Sequence, residues 1–164
     1  MAPQDPTPLE DSMSTTTRTI HATPEAVFDV LADGWSYSQW VVGASRVRDV
    51  TEGWPAEGTH IHHSVGAWPL LIDDATTVRS CDRPHQLELT VRAWPSGEGI
   101  VRLTCRPNGT GTDVTMEEDA TRGPATLVPK AARDVVLDRR NRESLRRLAI
   151  LAERPSTGAE PLVP

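Results

Sequence analysis

The sequence predicts an α+β domain in which a seven-stranded antiparallel sheet wraps around one long C-terminal helix, with two short helices after the first strand. Three observations predict it. Period-two alternation of apolar and polar residues runs through the middle of the chain, from about 45 to 120, and turn residues interrupt it repeatedly. One stretch near the C-terminus, about 128–153, carries apolar residues at helical spacing instead. The sheet has one apolar face to cover, and only that helix is long enough to cover it.

The elements follow in order. Thr15 to His21 is rich in threonine and reads as a strand. Thr23-Pro24-Glu25-Ala26 supplies an N-cap, a proline at the first helical position and an acid in the first turn. Val27, Val30 and Leu31 continue at helical spacing until Asp33-Gly34 stops the helix. Trp35 to Val41 is a second short helix. Strands are expected near 45–51, 58–65, 70–80, 85–92, 99–106 and 112–120, with turns at Glu57-Gly58, Asp82-Arg83-Pro84 and Asn108-Gly109. In the final helix Leu145, Leu148, Ala149 and Ala152 form one stripe, and arginines occupy the other face.

Size and composition exclude several alternatives. A chain of 164 residues favours one domain with a real core. Residues 1–13 and 155–164 are rich in Pro, Ser and acids, lack periodicity and are expected to be disordered tails around a domain at 14–154. No apolar run approaches the ~20 residues of a membrane helix, and no signal peptide is visible, so a cytoplasmic place without stable membrane insertion is expected. Cys81 and Cys105 are then free thiols. A formal net charge of −6 argues against a nucleic-acid partner. The expected state is a monomer or homodimer.

Several stretches resemble one family. Thr19 to Leu31 (TIHATPEAVFDVL) is similar to the strand-to-helix opening of the START-like, Bet v 1-like (SRPBCC) superfamily, in its bacterial polyketide cyclase/dehydrase and lipid-transport branch. Trp35 to Trp40 stands where that branch has an aromatic segment ending in Trp. Asp82 to Leu87 resembles its proline turn, Gly111 to Thr115 the start of its last strand, and Asn141 to Leu148 the end of its long helix. The resemblance covers nearly all of 15–153 and implies the helix-grip fold with an internal ligand cavity. Its motifs are packing and turn positions, so they specify fold far more than activity.

Strand register identifies the inward side chains. These are Leu87, Leu89 and Val91 in the fifth strand, Val101, Leu103 and Cys105 in the sixth, and Val114, Met116 and Glu118 in the last. The third strand turns Ile61, His63 and Val65 inward. In the fourth, Ile72, Asp74, Thr76 and Val78 are the inward set, although one bulge would reverse part of it. His63, Asp74 and Glu118 are therefore polar groups in an apolar lining, and buried carboxylates need a partner or a proton. Asp138, Asn141 or Arg142 extends the helix stripe backwards toward them. Alternatively Glu118, near a strand end, simply reaches solvent or pairs with Arg142.

In a meander alternate connections share one end of the sheet. Here that end collects the loops at 66–69, 93–98 and 121–129 and the chain after Trp40, with Trp68, Trp94, Pro124, Leu127 and Pro129. These form either a cavity mouth or a plug on the core. The expected ligand contacts are Trp40, His63, Trp68, Asp74, Leu87, Leu89, Trp94, Leu103, Met116, Glu118, Leu127 and Asn141.

His60-x-His62-His63 raises a metal reading, but His60 and His62 point outward with no further ligand near, so no metal is expected. No P-loop, G-x-S-x-G or Cys–His spacing is present, and no cofactor is expected. The helix arginines face acids at i,i+4, as in Asp138 to Arg142 and Glu143 to Arg147, which neutralises that face. Two function classes remain. One is a binding module for a small hydrophobic, aromatic or lipid-like molecule. The other is a cyclase, aromatase or dehydrase with His63, Asp74 and Glu118 as the catalytic candidates.

Overall fold

A computed structural model of the chain describes residues 13–67, 69–93 and 97–154. The expected tails (except Met13) and both Trp68 and Trp94 lie outside the described residues. Strands β1 (Ser14–Ile20), β2 (Ala44–Val50), β3 (His60–Ala67), β4 (Leu70–Asp82), β5 (Gln86–Ala93), β6 (Gly97–Pro107) and β7 (Thr112–Arg122) form one sheet in the order β1-β7-β6-β5-β4-β3-β2. Every pairing is antiparallel, so the meander is continuous from β2 to β7 and β1 closes on the last strand. Helices α1 (Pro24–Ala32) and α2 (Tyr37–Trp40) link β1 to β2, and α3 (Lys130–Ala152) follows β7.

Local chemistry accounts for the boundaries. Thr23 caps α1, its Oγ1 accepting the Ala26 amide at 3.2 Å, and Pro24 begins the helix with no amide to waste. At the other end the Trp54 indole donates to the Leu31 carbonyl at 3.1 Å. β3 starts two residues later than the alternation indicates because Gly58 holds a turn at φ +82°. α3 also starts later, at Lys130, because Pro124–Leu127 forms its own 3₁₀ turn and Pro129 takes the N-cap position.

A bulge does interrupt β4, but only between Val78 and Ser80. The inward set through Val78 therefore stands, and beyond the bulge the phase shifts so that Cys81 pairs with Leu87.

The core fills one end of the grip. Val27, Phe28 and Leu31 of α1 are buried in one cluster with Leu87, Leu103, Val114, Leu145 and Leu148. Only the C-terminal half of α3 is sunk in this cluster, through Asn141, Ser144, Leu145, Leu148, Ala149 and Ala152. Its first turns are different: Val135 is 71% exposed and Val136 68%. The N-terminal half of α3 thus lies over the sheet without filling it.

Candidate functional site

The unfilled space is a cavity of about 550 Å³ between α2, the first half of α3 and the inner face of β3 to β7. That lies within the range of roughly 300–1,000 Å³ usual for small-molecule sites. Trp40, Val65, Leu89, Val91, Val101 and Met116 give it apolar walls. Val41 to Ala44, Gly97 to Gly99, Asp119, Ala120, Ala125 and Val128 also line it, which places the loop end named above at its rim.

Three polar groupings interrupt these walls. The deepest is a buried chain of side chains. Thr76 Oγ1 lies 2.9 Å from the Tyr37 hydroxyl and 3.1 Å from His63 Nε2. Register explains the reach: Ile61 pairs with Thr76 and His63 with Asp74, so His63 meets Thr76 diagonally on one face. Tyr37 comes down from α2, with its ring 5.2 Å from the imidazole and 5.6 Å from Trp40. Burial pushes the Tyr37 hydroxyl up to about 12, against the opposing pull of its bond to Thr76. Burial also lowers His63, although the Asp74 carboxylate opposes this. His63 Nδ1 is buried with no hydrogen-bond partner among the described residues.

The second grouping joins sheet to helix. Glu118 pairs with Arg140, and Arg140 also donates to Asn141 Oδ1, at 3.2 Å from its terminal nitrogen. Glu118 and Asn141 are buried, and Asn141 Nδ2 has no partner among the described residues. Beside it Ser144 Oγ accepts the Val42 amide at 3.1 Å, which pins the chain after α2 to α3. The third grouping is at the rim, where Arg133 binds Asp119 at 2.8 Å and Arg92 binds Glu98 at 2.9 Å.

The structure brings together Trp40, His63, Leu89, Met116, Glu118 and Asn141 in the cavity lining. It does not bring the others. Leu87 and Leu103 are buried in the packed end beneath α1, where no space remains. Leu127 is 85% exposed, because a 3₁₀ turn puts residues three apart on one side, and here Ala125 and Val128 take the inner side. Asp74 is buried opposite His63 but stays out of the lining; its Oδ1 turns back to accept the Ala75 amide at 2.8 Å. It borders a separate recess with Arg48 and His62. On α3, Asp138 accepts from Thr16 at 3.2 Å and from Arg142 at 2.8 Å, so neither faces the cavity, and the partner of Glu118 is Arg140 in place of Arg142. His60 and His62 meet edge to face with ring centres 4.7 Å apart, and among the described residues no group of three His, Cys, Asp or Glu could hold a metal.

Sequence reasoning missed Tyr37, Thr76 as a site residue, Arg133, Arg140 and Ser144. A signal for Tyr37 existed: the sole tyrosine of the chain stands three positions before Trp40, on the same helical face. Arg133, Leu137, Arg140 and Ser144 also share a helical face, at steps of four, three and four, flanking the leucine stripe.

A sheet that grips the second half of a helix and leaves a lined cavity under its first half defines a helix-grip cavity protein. The chain belongs to the family described as polyketide cyclase / dehydrase and lipid transport, whose model matches residues 13–153. No curated protein matches it. Among solved structures, a Chromobacterium violaceum protein is 20% identical, with 87% of this chain and 99% of that one covered and a TM-score of 0.64. A Staphylococcus aureus protein of unknown function is 9% identical over 86% of this chain and 93% of its own, at a TM-score of 0.69. The di-domain ARO/CYC BexL of the BE-7585A biosynthetic pathway is 18% identical over 87% of this chain, at a TM-score of 0.64, and only 50% of its own chain is covered. At these identities the likeness is one of fold. Among the described residues no helix is long and apolar enough to cross a membrane.

Proposed function

We propose that the protein binds one small, largely apolar ligand, aromatic or lipid-like, in the cavity under α3. The observation that carries this is the cavity itself: about 550 Å³ with mainly apolar walls, beside a cluster of buried apolar residues that packs the other end of the grip. Empty apolar space costs stability, by roughly 24 cal/mol per Å³ in measured core cavities. A fold that keeps a space this size under an otherwise amphipathic helix gains from an occupant. Trp40 lines the cavity and is 3% exposed, so its emission reports on the contents.

The test uses N-phenyl-1-naphthylamine together with fatty-acid and sterol probes. A bound probe quenches Trp40 and raises the melting temperature, since it binds the folded state alone; at 100 times Kd the gain is about 2.7 kcal/mol. Leu89→Trp fills the cavity and abolishes both responses, at an overpacking cost of about 1–3 kcal/mol. Failure of every probe to bind a correctly folded wild type overturns the proposal.

One observation favours a second reading, catalysis on a ketone-bearing ligand. His63 is held neutral beside a buried hydroxyl chain, as a base would be. Product analysis of a poly-ketone substrate with wild type, His63→Ala, Asp74→Asn and Glu118→Gln separates the two. Cyclisation that disappears with His63→Ala establishes the enzyme; absence of any wild-type-dependent product leaves the carrier.

A further inference from the structure

Three buried polar atoms of the cavity wall have no hydrogen-bond partner among the described residues, and all are donors. Besides Arg133 Nε, on a guanidinium already held by Asp119 and the Ala125 carbonyl, there are two. The first is Asn141 Nδ2. Asn141 is fully buried, lines the cavity, and its amide orientation is fixed by its neighbour. Arg140 can only donate, and it approaches the side-chain oxygen at 3.2 and 3.4 Å, so the oxygen faces Arg140 and the NH₂ group is left over. The second is His63 Nδ1, on a residue 3% exposed that also lines the cavity; the Ser64 backbone lies close enough to favour a proton on the ring, but no partner meets hydrogen-bond geometry at this nitrogen.

The proton on His63 follows from counting hydrogens along the chain through Thr76. Tyr37 has a hydroxyl proton and one acceptor in reach, Thr76 Oγ1 at 2.9 Å. If Tyr37 donates to Thr76, Thr76 spends its own proton on His63 Nε2, at 3.1 Å. The imidazole, kept neutral by burial, then carries its proton on Nδ1. The opposite direction strands the Tyr37 proton as well as Nδ1, leaving two buried groups unmet where the first leaves one. Each such group costs the full desolvation of its dipole, so the first direction wins.

The acceptors of the cavity are meanwhile in use. Glu118 is taken by Arg140, Asp119 by Arg133, and Ser144 Oγ by the Val42 amide. We infer that Asn141 and His63 are specificity-determining donors, and that the ligand is an apolar body bearing acceptor oxygens, of carbonyl type, with no ammonium group. This deepens the ligand-binding proposal and rests on it.

Three matched probes test it on the full chain by calorimetry and Trp40 emission: 2-acetylnaphthalene, 2-ethylnaphthalene and 1-(2-naphthyl)ethylamine. They share one ring body and differ in offering an acceptor, nothing or a cation. The ketone should bind roughly two- to tenfold tighter than the hydrocarbon, one hydrogen bond's worth, and the ammonium weakest. Asn141→Leu, of similar volume, should bring the ketone down to the hydrocarbon and leave the hydrocarbon unchanged or tighter. Asn141→Asp replaces donors by acceptors and should raise the ammonium above the ketone; its melting curve and that of Asn141→Leu show whether each variant is folded. If ketone and hydrocarbon bind equally to the wild type, the donor assignment is wrong while the cavity stands. If the ketone's advantage survives in whichever variant is folded, Asn141 is not its donor and the assignment is likewise overturned. If no probe binds, the cavity reading fails and this inference with it.

Discussion

Thr76 sits between two groups that depend on it, which makes its replacement the sharpest stability test available. Thr76→Val keeps the shape of a fully buried side chain and removes one oxygen. With it go the bond to the Tyr37 hydroxyl at 2.9 Å and the bond to His63 Nε2 at 3.1 Å. Tyr37 is 4% exposed and His63 3%, so neither reaches water without moving. Two buried groups left unmet cost about 1–3 kcal/mol each, or about 2–6 kcal/mol together. Tyr37→Phe removes the first donor in the chain and nothing that another group needs. Thr76 still donates to His63, so the cost is about 0.5–1.5 kcal/mol. The double variant Tyr37→Phe/Thr76→Val strands only His63 and should be more stable than Thr76→Val alone, a sign reversal that additive effects cannot give. Urea unfolding followed by circular dichroism measures all three. Thr76→Val costing no more than Tyr37→Phe would refute both the buried chain and its direction.

Two further predictions rest on charge. Glu118 is buried, with 7% of its side chain exposed, while 37% of the Arg140 side chain reaches solvent. Glu118→Gln therefore lets Arg140 turn outward at a cost of about 1 kcal/mol, whereas Arg140→Met strands a buried carboxylate and costs about 3–5 kcal/mol; equal losses in urea unfolding would contradict this asymmetry. His63 supplies a pH dependence. Its folded pKa lies below the ordinary histidine value, so the unfolded chain takes up a proton near pH 6.5 that the folded chain refuses. Stability thus falls as pH drops through about 6.5 toward the lowered folded value, and His63→Gln should flatten the wild-type slope between about pH 7 and 5. Exposed Glu143, held down to about 2 by hydrogen bonds from Arg146 and Arg147, acts in a separate acid window and does not mask this slope. Identical slopes for wild type and variant would remove His63 from the titration.

The fold was legible because its signals are local and repeated. Alternation in Leu87 to Val91, Val101 to Cys105 and Val114 to Glu118 needs no tertiary information, and each set is inward in the structure. The cap at Thr23 and the stop at Asp33 are equally local. The site was legible only in part. Period two identifies which side of a strand faces in, but not whether the space there is filled. Leu87 and Leu89 are two residues apart on one face; Leu87 meets the packed end under α1 and Leu89 the cavity. That difference is set by where α3 leaves the sheet, which no strand pattern encodes. The arginines were missed for another reason. Arg140 read as part of a neutralised helix face and Arg133 was not singled out, yet both line the wall while their guanidinium groups find Glu118 and Asp119.

The direction of the hydrogen-bond chain also bears on whether the cavity binds or reacts. A general base needs a free lone pair facing the substrate and a pKa near the working pH. His63 has one nitrogen accepting from Thr76, and hydrogen counting puts its proton on the other, so it presents a donor to the cavity. The far end of the chain is Tyr37, raised to about 12 and buried among Trp40, His63 and Thr76, with no further acceptor for its proton among the described side chains. Glu118 is committed to Arg140, and Asp74 stands outside the lining. The relay is closed at its Tyr37 end, so a proton moved along it has no exit there. It can orient a carbonyl oxygen and polarise it, but turnover would require the chain to reverse, stranding the Tyr37 proton in the interior at about 1–3 kcal/mol. On the ligand-binding proposal these groups serve recognition, and the alternative, a catalytic cycle, has to work against their ground-state order.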